Sequence, residues 1–281
     1  MEQYTIGLYE KSMPSSISWE EKLMEAKKAG FDFIEISIDE TDEKLARLDM
    51  SDSDCIELVK LMSKVGIPIR TMCLSGHRKY PLGSHDPEVR KTGMEIMKKA
   101  IALAEKLGIR IIQLAGYDVF YEEGDEQTKI WFEQNLKEAV AMAASSGILM
   151  GFETMETEFM NTINKAMYYV EKINSPYLGI YPDLGNITNA TKEKQEDVIE
   201  DIYCGTGHLV AMHLKETKPG VFREVPFGMG HVDFINGIKA AWEVGVRKFV
   251  TEFWYVGNEM WQQELRNANH MMREILDRQV G

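Results

Sequence analysis

Apolar residues along this chain follow two alternating rhythms. Short runs rich in β-branched and aromatic residues recur, and each precedes a longer stretch whose apolar positions return every three to four residues. These are the signatures of a buried strand and of an amphipathic helix. The strand-like runs are Tyr4–Glu10, Phe31–Ile38, Pro68–Ser75, Arg110–Gly116, Leu149–Met155, Leu178–Asp183, Leu209–Glu216 and Lys248–Trp254. The helical stretches are Ser18–Ala29, Ser51–Val65, Asp86–Leu107, Glu126–Ser146, Thr162–Ile173, about Lys192 to Tyr203, Phe234–Val244 and Glu259–Leu276. Local punctuation supports the boundaries. Ser18 with Glu21 three residues on reads as a capping box, Pro87 suits a first helical position, and Gly30, Gly66, Gly108 and Gly147 stop the first, second, third and fourth helices.

Eight β-then-α units in succession predict a parallel sheet, and eight such units close into an α/β (β/α)8 TIM barrel. An open doubly wound sheet would want a glycine-rich turn after its first strand. Here Lys11-Ser12-Met13-Pro14 follows, without glycine. The chain has 281 residues, 44% hydrophobic and 27% charged. No linker or low-complexity tract interrupts it, so residues 1–281 are expected to form one barrel domain.

A net charge of −13 argues against non-specific attraction to nucleic acid. An anionic substrate would need a local basic patch. No apolar run is long enough to span a bilayer, and no basic segment followed by an apolar stretch opens the chain. Cys55, Cys73 and Cys204 are odd in number and irregularly spaced, which fits neither a disulfide framework nor a zinc knuckle. A cytoplasmic location is expected.

Catalytic groups of such barrels sit at the C-terminal ends of the strands. There the fifth to eighth runs carry Glu153, Asp183, His213 and Glu252, spaced by 30, 30 and 39 residues, about one βα unit each time. A carboxylate in an apolar strand is costly unless paired or metal-bound. Three of them converging with an imidazole would repel one another without a cation. The donor set suits one divalent ion, Zn²⁺, Mn²⁺, Co²⁺ or Mg²⁺. Glu10, Glu35, Gln113, Glu156, Lys215 and Glu216 lie at or near other strand ends and are candidates for supporting the site or touching substrate, or for structural ion pairing. The loop Ser75-Gly76-His77-Arg78-Lys79 gathers a hydroxyl, an imidazole and two cations at the mouth, as an anion cradle or a solvated basic loop, with Lys11 and Lys218 as further cations. His231 lies near the mouth. Trp131, Trp242 and Trp261 read as packing residues, His208 as a residue of the barrel bottom, and His85 and His270 as surface.

The strings GLYEKSMP, FDFIEISIDE, CLSGHRKYPLGS, IQLAGYDVFYEE, YPDLGN, HLKETKPGVFREVPFGMGHVDF and TEFW resemble those of the L-ribulose-5-phosphate 3-epimerases. These belong to the xylose-isomerase-like barrels and include the L-xylulose-5-phosphate 3-epimerase type of L-ascorbate catabolism. The resemblance runs from about Thr5 to Trp254. It implies that Glu153, Asp183, His213 and Glu252 bind the metal, and that Glu153 and Glu252 also serve as the acid/base pair. The related epimerases of unphosphorylated ketohexoses carry a histidine three residues after the sixth-strand aspartate. This chain has Asn186 there, which favours a phosphorylated sugar.

The function so implied is metal-dependent C3 epimerisation of a ketopentose 5-phosphate, L-ribulose 5-phosphate to L-xylulose 5-phosphate, through a cis-enediolate. The expected partner is a small sugar phosphate, with Glu35, Ser75, His77, Arg78, Lys79, Lys11, Asn186, Lys215 and Lys218 as its contacts. A homodimer is allowed. Three other readings stand beside it: an epimerase or isomerase of another sugar, phosphorylated or not, on the same barrel, a metal-dependent abasic-site endonuclease, and a non-catalytic sugar-binding scaffold.

Overall fold

The computed structural model describes residues 3–280. Eight parallel strands, β1 (Thr5–Tyr9), β2 (Phe33–Ile38), β3 (Ile69–Leu74), β4 (Ile111–Ala115), β5 (Leu149–Glu153), β6 (Leu178–Ile180), β7 (Met212–Leu214) and β8 (Lys248–Thr251), alternate with helices. The helices are α1 (Trp19–Lys28), α2 (Asp42–Ala46), α3 (Asp52–Val65), α4 (Pro87–Leu107), α5 (Glu126–Ser145), α6 (Ile163–Ile173), α7 (Leu184–Lys194), α8 (Val198–Cys204), α9 (Phe234–Glu243) and α10 (Trp261–Val280). The sheet order is β6-β5-β4-β3-β2-β1-β8-β7. Parallel bridges between Ile180 and Leu209 and between Asp183 and His213 join its two ends, so the expected barrel closes.

The alternation of each strand sorts its side chains between two environments. The outer set, including Ile6, Leu8, Ile34, Ile36, Met72, Ile112, Phe152, Met212 and Phe249, is buried with Leu23, Met97, Leu136 and Ile238 of the helices. The inner set at the lower and middle levels is Tyr9, Phe33, Cys73, Ile111, Tyr181, Ala211 and Val250. Two of these fill the barrel because their neighbours are glycines. A Cβ on Gly7 would stand 2.4 Å from the Phe33 ring, and one on Gly151 would stand 2.8 Å from the Tyr181 Cβ. The inward positions above this apolar plug carry the ionisable groups.

The helix caps follow the sequence closely. Ser18 and Glu21 form the capping box, Asp86 caps α4 ahead of Pro87, and Gly108 ends α4 at φ 73°. The sixth unit departs from expectation. Instead of one helix from about Lys192 to Tyr203, α7 begins directly after Asp183 and breaks at Gln195, whose φ is +58°. Its sequence, LGNITNATKEK, is rich in poor helix formers. What starts it is the Asp183 cap, whose Oδ1 accepts the Asn186 N–H at 2.6 Å.

Of the two readings open for Glu10, structural ion pairing is the one found. Glu10 falls on the outer face of the first strand's end. Its carboxylate is buried among Lys22 at 3.2 Å, Lys44 at 2.8 Å and Arg47 at 2.6 Å, and accepts the Ser37 N–H at 2.9 Å. It therefore ties β1 and β2 to α1 and α2 and is not a substrate contact. Burial alone would raise its pKa, but Arg47, Lys22 and Lys44 outweigh burial and hold it at about 2. A carboxyl depressed on folding contributes stability above its unfolded pKa and loses it as pH falls toward the folded value. Lys22 is itself pulled down by burial, which reduces the gain. Glu10→Gln should therefore cost about 2–3 kcal/mol above about pH 5, a difference that shrinks toward pH 2. Denaturant unfolding of both proteins across that range checks this.

Candidate metal centre and active site

Four successive units deliver one buried group each to the same small volume. Glu153 is the last residue of β5, Asp183 follows β6, His213 is the central residue of β7, and Glu252 follows β8. One ligand atom from each lies within 4.8 Å of all the others. From His213 Nδ1 the distances are 3.4 Å to Glu252 Oε2 and 3.9 Å to both Glu153 Oε1 and Asp183 Oδ2. Backbone bonds place these groups: Asp183 N–H donates to Thr154 Oγ1 at 3.0 Å, and Glu252 N–H to the Leu214 carbonyl at 2.9 Å. Because Asp183 spends Oδ1 on capping α7, Oδ2 is left to face the centre.

Crowding of like charge in a dry site shifts every member. Burial pushes Glu153 well above the usual carboxylate range, and the Glu252 charge adds to it. Burial raises Asp183 too. Burial would also raise Glu252, but Lys215 and His213 outweigh it, and Glu252 is depressed. His213 is raised because Glu35 and Glu252 outweigh its burial. Buried Lys215 puts its ammonium 3.3 Å from both Asp183 Oδ2 and Glu252 Oε2, outside hydrogen-bonding alignment. Those two oxygens are buried and accept no hydrogen bond among the described residues. Two orphaned carboxylate oxygens, a third carboxylate and an imidazole nitrogen around one point form an O₃N donor set that fits a divalent cation.

Above this centre lies a small cavity of about 50 Å³. Of the substrate contacts expected from sequence, Lys11, Ser75, Arg78, Asn186 and Lys215 line it, and four others do not. Glu35 lies within β2, below the cavity, with both oxygens engaged by side chains. His77 is buried with Nε2 donating to the Gly93 carbonyl at 3.0 Å, and burial lowers its pKa to about 4. A short 3₁₀ turn, Gly76–Arg78, swings it away. Lys79 is exposed over the Tyr80 ring, and Lys218 is exposed in a tight turn with Val221. His231 lies outside the cavity lining. Gln113 Nε2 lies 3.2 Å from His213 Nδ1 and 3.3 Å from Nε2, and the Glu216 carboxylate accepts the N–H groups of Thr217, Gly228 and Val232 to fold the loop after β7.

The model of the xylose isomerase-like TIM barrel family matches residues 23–275. Over 83% of this chain and 80% of theirs, the relatives named L-ribulose-5-phosphate 3-epimerase UlaE from Escherichia coli and Salmonella paratyphi A are 47% identical to it. The chain belongs to the L-ribulose-5-phosphate 3-epimerase family. It is a carbohydrate epimerase, of the isomerase class. Solved structures of a D-psicose 3-epimerase and an L-ribulose 3-epimerase share the fold, each with TM-score 0.79 and 17% identity, covering 97% and 98% of this chain and 99% and 95% of theirs.

In this family member the cavity also holds residues that sequence reasoning passed over. Arg223, from the loop between β7 and α9, stands 3.5 Å from Glu156 Oε1, which Arg78 approaches at 3.8 Å. Trp254 and Tyr9 form its wall. Trp254 was legible, since it lies two residues beyond Glu252 and shares its face. Arg223 was legible only as a cation in a loop at the mouth.

Filling the centre must displace protons held by the raised carboxyls and by His213. Affinity for Zn²⁺ or Mn²⁺ should therefore rise between about pH 6 and 8, with protons released to buffer. Titration calorimetry in buffers of different ionisation enthalpy checks this; pH-independent affinity without proton release would contradict the assigned charge states.

Proposed function

We propose that this chain catalyses the metal-dependent C3 epimerisation of L-ribulose 5-phosphate to L-xylulose 5-phosphate. The observation that carries the reading is the convergence of two glutamates from non-adjacent strands, Glu153 and Glu252, with Asp183 and His213 around one buried point. The names of relatives at 47% identity support the substrate. The four side chains would hold one ion of the Zn²⁺, Mn²⁺, Co²⁺ or Mg²⁺ type. Bound there, a divalent ion supplies Lewis acidity toward the C2 carbonyl, which makes the C3 proton removable.

Epimerisation needs a base on each face of the planar enediolate. Glu153 and Glu252 approach from different sides of the barrel mouth: one removes the C3 proton and the other returns one to the opposite face. The Lys215 ammonium faces the same volume and offsets negative charge growing on the substrate oxygens. Asn186 Nδ2 donates to the Thr154 carbonyl at 2.7 Å, while its buried Oδ1 has no partner among the described residues and can accept from a sugar hydroxyl. Arg78, Arg223 and Lys11 are the cations assigned to the 5-phosphate. Lys11 also pairs with Asp39 at 2.5 Å, so its charge is shared. A cytoplasmic setting and a place in L-ascorbate catabolism belong to the same reading. No helix of the described residues is long and apolar enough to cross a membrane.

Glu153→Gln and Glu252→Gln, each loaded with metal, should lose net epimerisation by about 10²–10⁴-fold. Each should retain C3 deuterium exchange for a different epimer, read by NMR. Exchange of the same epimer by both variants would remove one glutamate from the proton-transfer pair.

Arg78→Ala should raise KM for the ketose 5-phosphate about 10–100-fold and leave residual activity on the free ketose unchanged. Steady-state kinetics on both sugars checks this; an equal loss on both would make the loop structural.

A further inference from the structure

Of the residues near the metal centre, Glu35 makes the contact that its role as a substrate residue leaves unexplained. It sits in β2, across the barrel from β7, fully buried. Its Oε1 lies 2.6 Å from His213 Nε2, and its Oε2 accepts from Thr71 Oγ1 at 2.7 Å and from the Tyr181 hydroxyl at 2.9 Å. With both oxygens accepting, the carboxylate takes the Nε2–H of His213. Only Nδ1 is then left to turn toward Glu153, Asp183 and Glu252. The ring is further confined by Tyr181, whose centroid is 5.0 Å away at 72°, and by Tyr9 at 6.3 Å. Which imidazole nitrogen faces a metal is set by the hydrogen bond the other one makes.

We propose that Glu35 is a positioning residue for the metal centre. It holds the Nε2–H form of His213 across the barrel, so that Nδ1 is the ligand atom, and it thereby sets the affinity for the ion. It touches neither the substrate nor the ion. This inference rests on the metal reading above, and Thr71 and Tyr181 form the seat that keeps the carboxylate in place. Removing partners of this kind costs about 10–100-fold in metal affinity.

The test uses the full chain with ¹⁵N-labelled histidine. NMR of the Zn²⁺-loaded protein should show His213 protonated at Nε2 and metal-bound at Nδ1, and the zinc-free protein should keep the same Nε2 proton. Glu35→Gln, folded by circular dichroism, should bind Zn²⁺ about 10–100-fold more weakly in chelator competition. Its kcat should recover substantially at saturating metal with KM for substrate unchanged, which a loss of substrate contact or of folding would not produce. A His213 ring bound through Nε2, or Glu35→Gln with wild-type affinity, overturns the proposal. If wild type binds no Zn²⁺ at His213, the metal reading fails, and the Nε2 proton in the zinc-free protein judges the Glu35 contact on its own: its absence overturns that too.

Discussion

Three carboxylates and an imidazole are held in one buried volume, where like charges crowd together. Two oxygens, Asp183 Oδ2 and Glu252 Oε2, are buried without a hydrogen bond from any described residue. Lys215 neutralises part of the charge from 3.3 Å. An isolated charge in such surroundings is expensive, so the group is under standing pressure to protonate or to acquire a cation. The barrel makes this crowding possible because four adjacent βα units each aim one inward side chain at a common axis.

The layers below and outside serve that constraint. The lower barrel is plugged by Phe33, Tyr181 and Val250, which leaves the upper level for ionisable groups. Asp183 follows a strand, caps a helix with one oxygen and presents the other to the centre, so local folding and site geometry are one event. Glu10 does comparable work outside the barrel: it draws three cations onto one carboxylate and fixes the turn from which Lys11 reaches the mouth.

Much of this was legible from the chain alone, because strand period and barrel geometry together decide which face a residue occupies. Glu153, Asp183, His213 and Glu252 could be found by that logic before any contact was known. The same parity rule, applied strictly, would have placed Glu10 on the outer face beside inward Tyr9. Depth was less readable. Glu35 shares the inner face, but nothing in the local sequence says that it sits one level too low to meet a substrate. Loop residues were least readable: His77 and Lys79 are turned aside by a backbone turn that Ser75 and Arg78 share, and Arg223 was overlooked among other loop cations. Helix α7 was missed because its propensity is poor and a tertiary residue, Asp183, starts it.

The proposed chemistry depends on these four side chains holding a single divalent ion at the barrel mouth. Anomalous diffraction from crystals grown with Mn²⁺ or Zn²⁺ addresses it directly. The predicted result is one strong peak bounded by Glu153, Asp183, Glu252 and His213 Nδ1, at ligand distances of about 2.0–2.2 Å for zinc. An empty centre with Lys215 still between Asp183 and Glu252, or an ion bound elsewhere in the barrel, would contradict it.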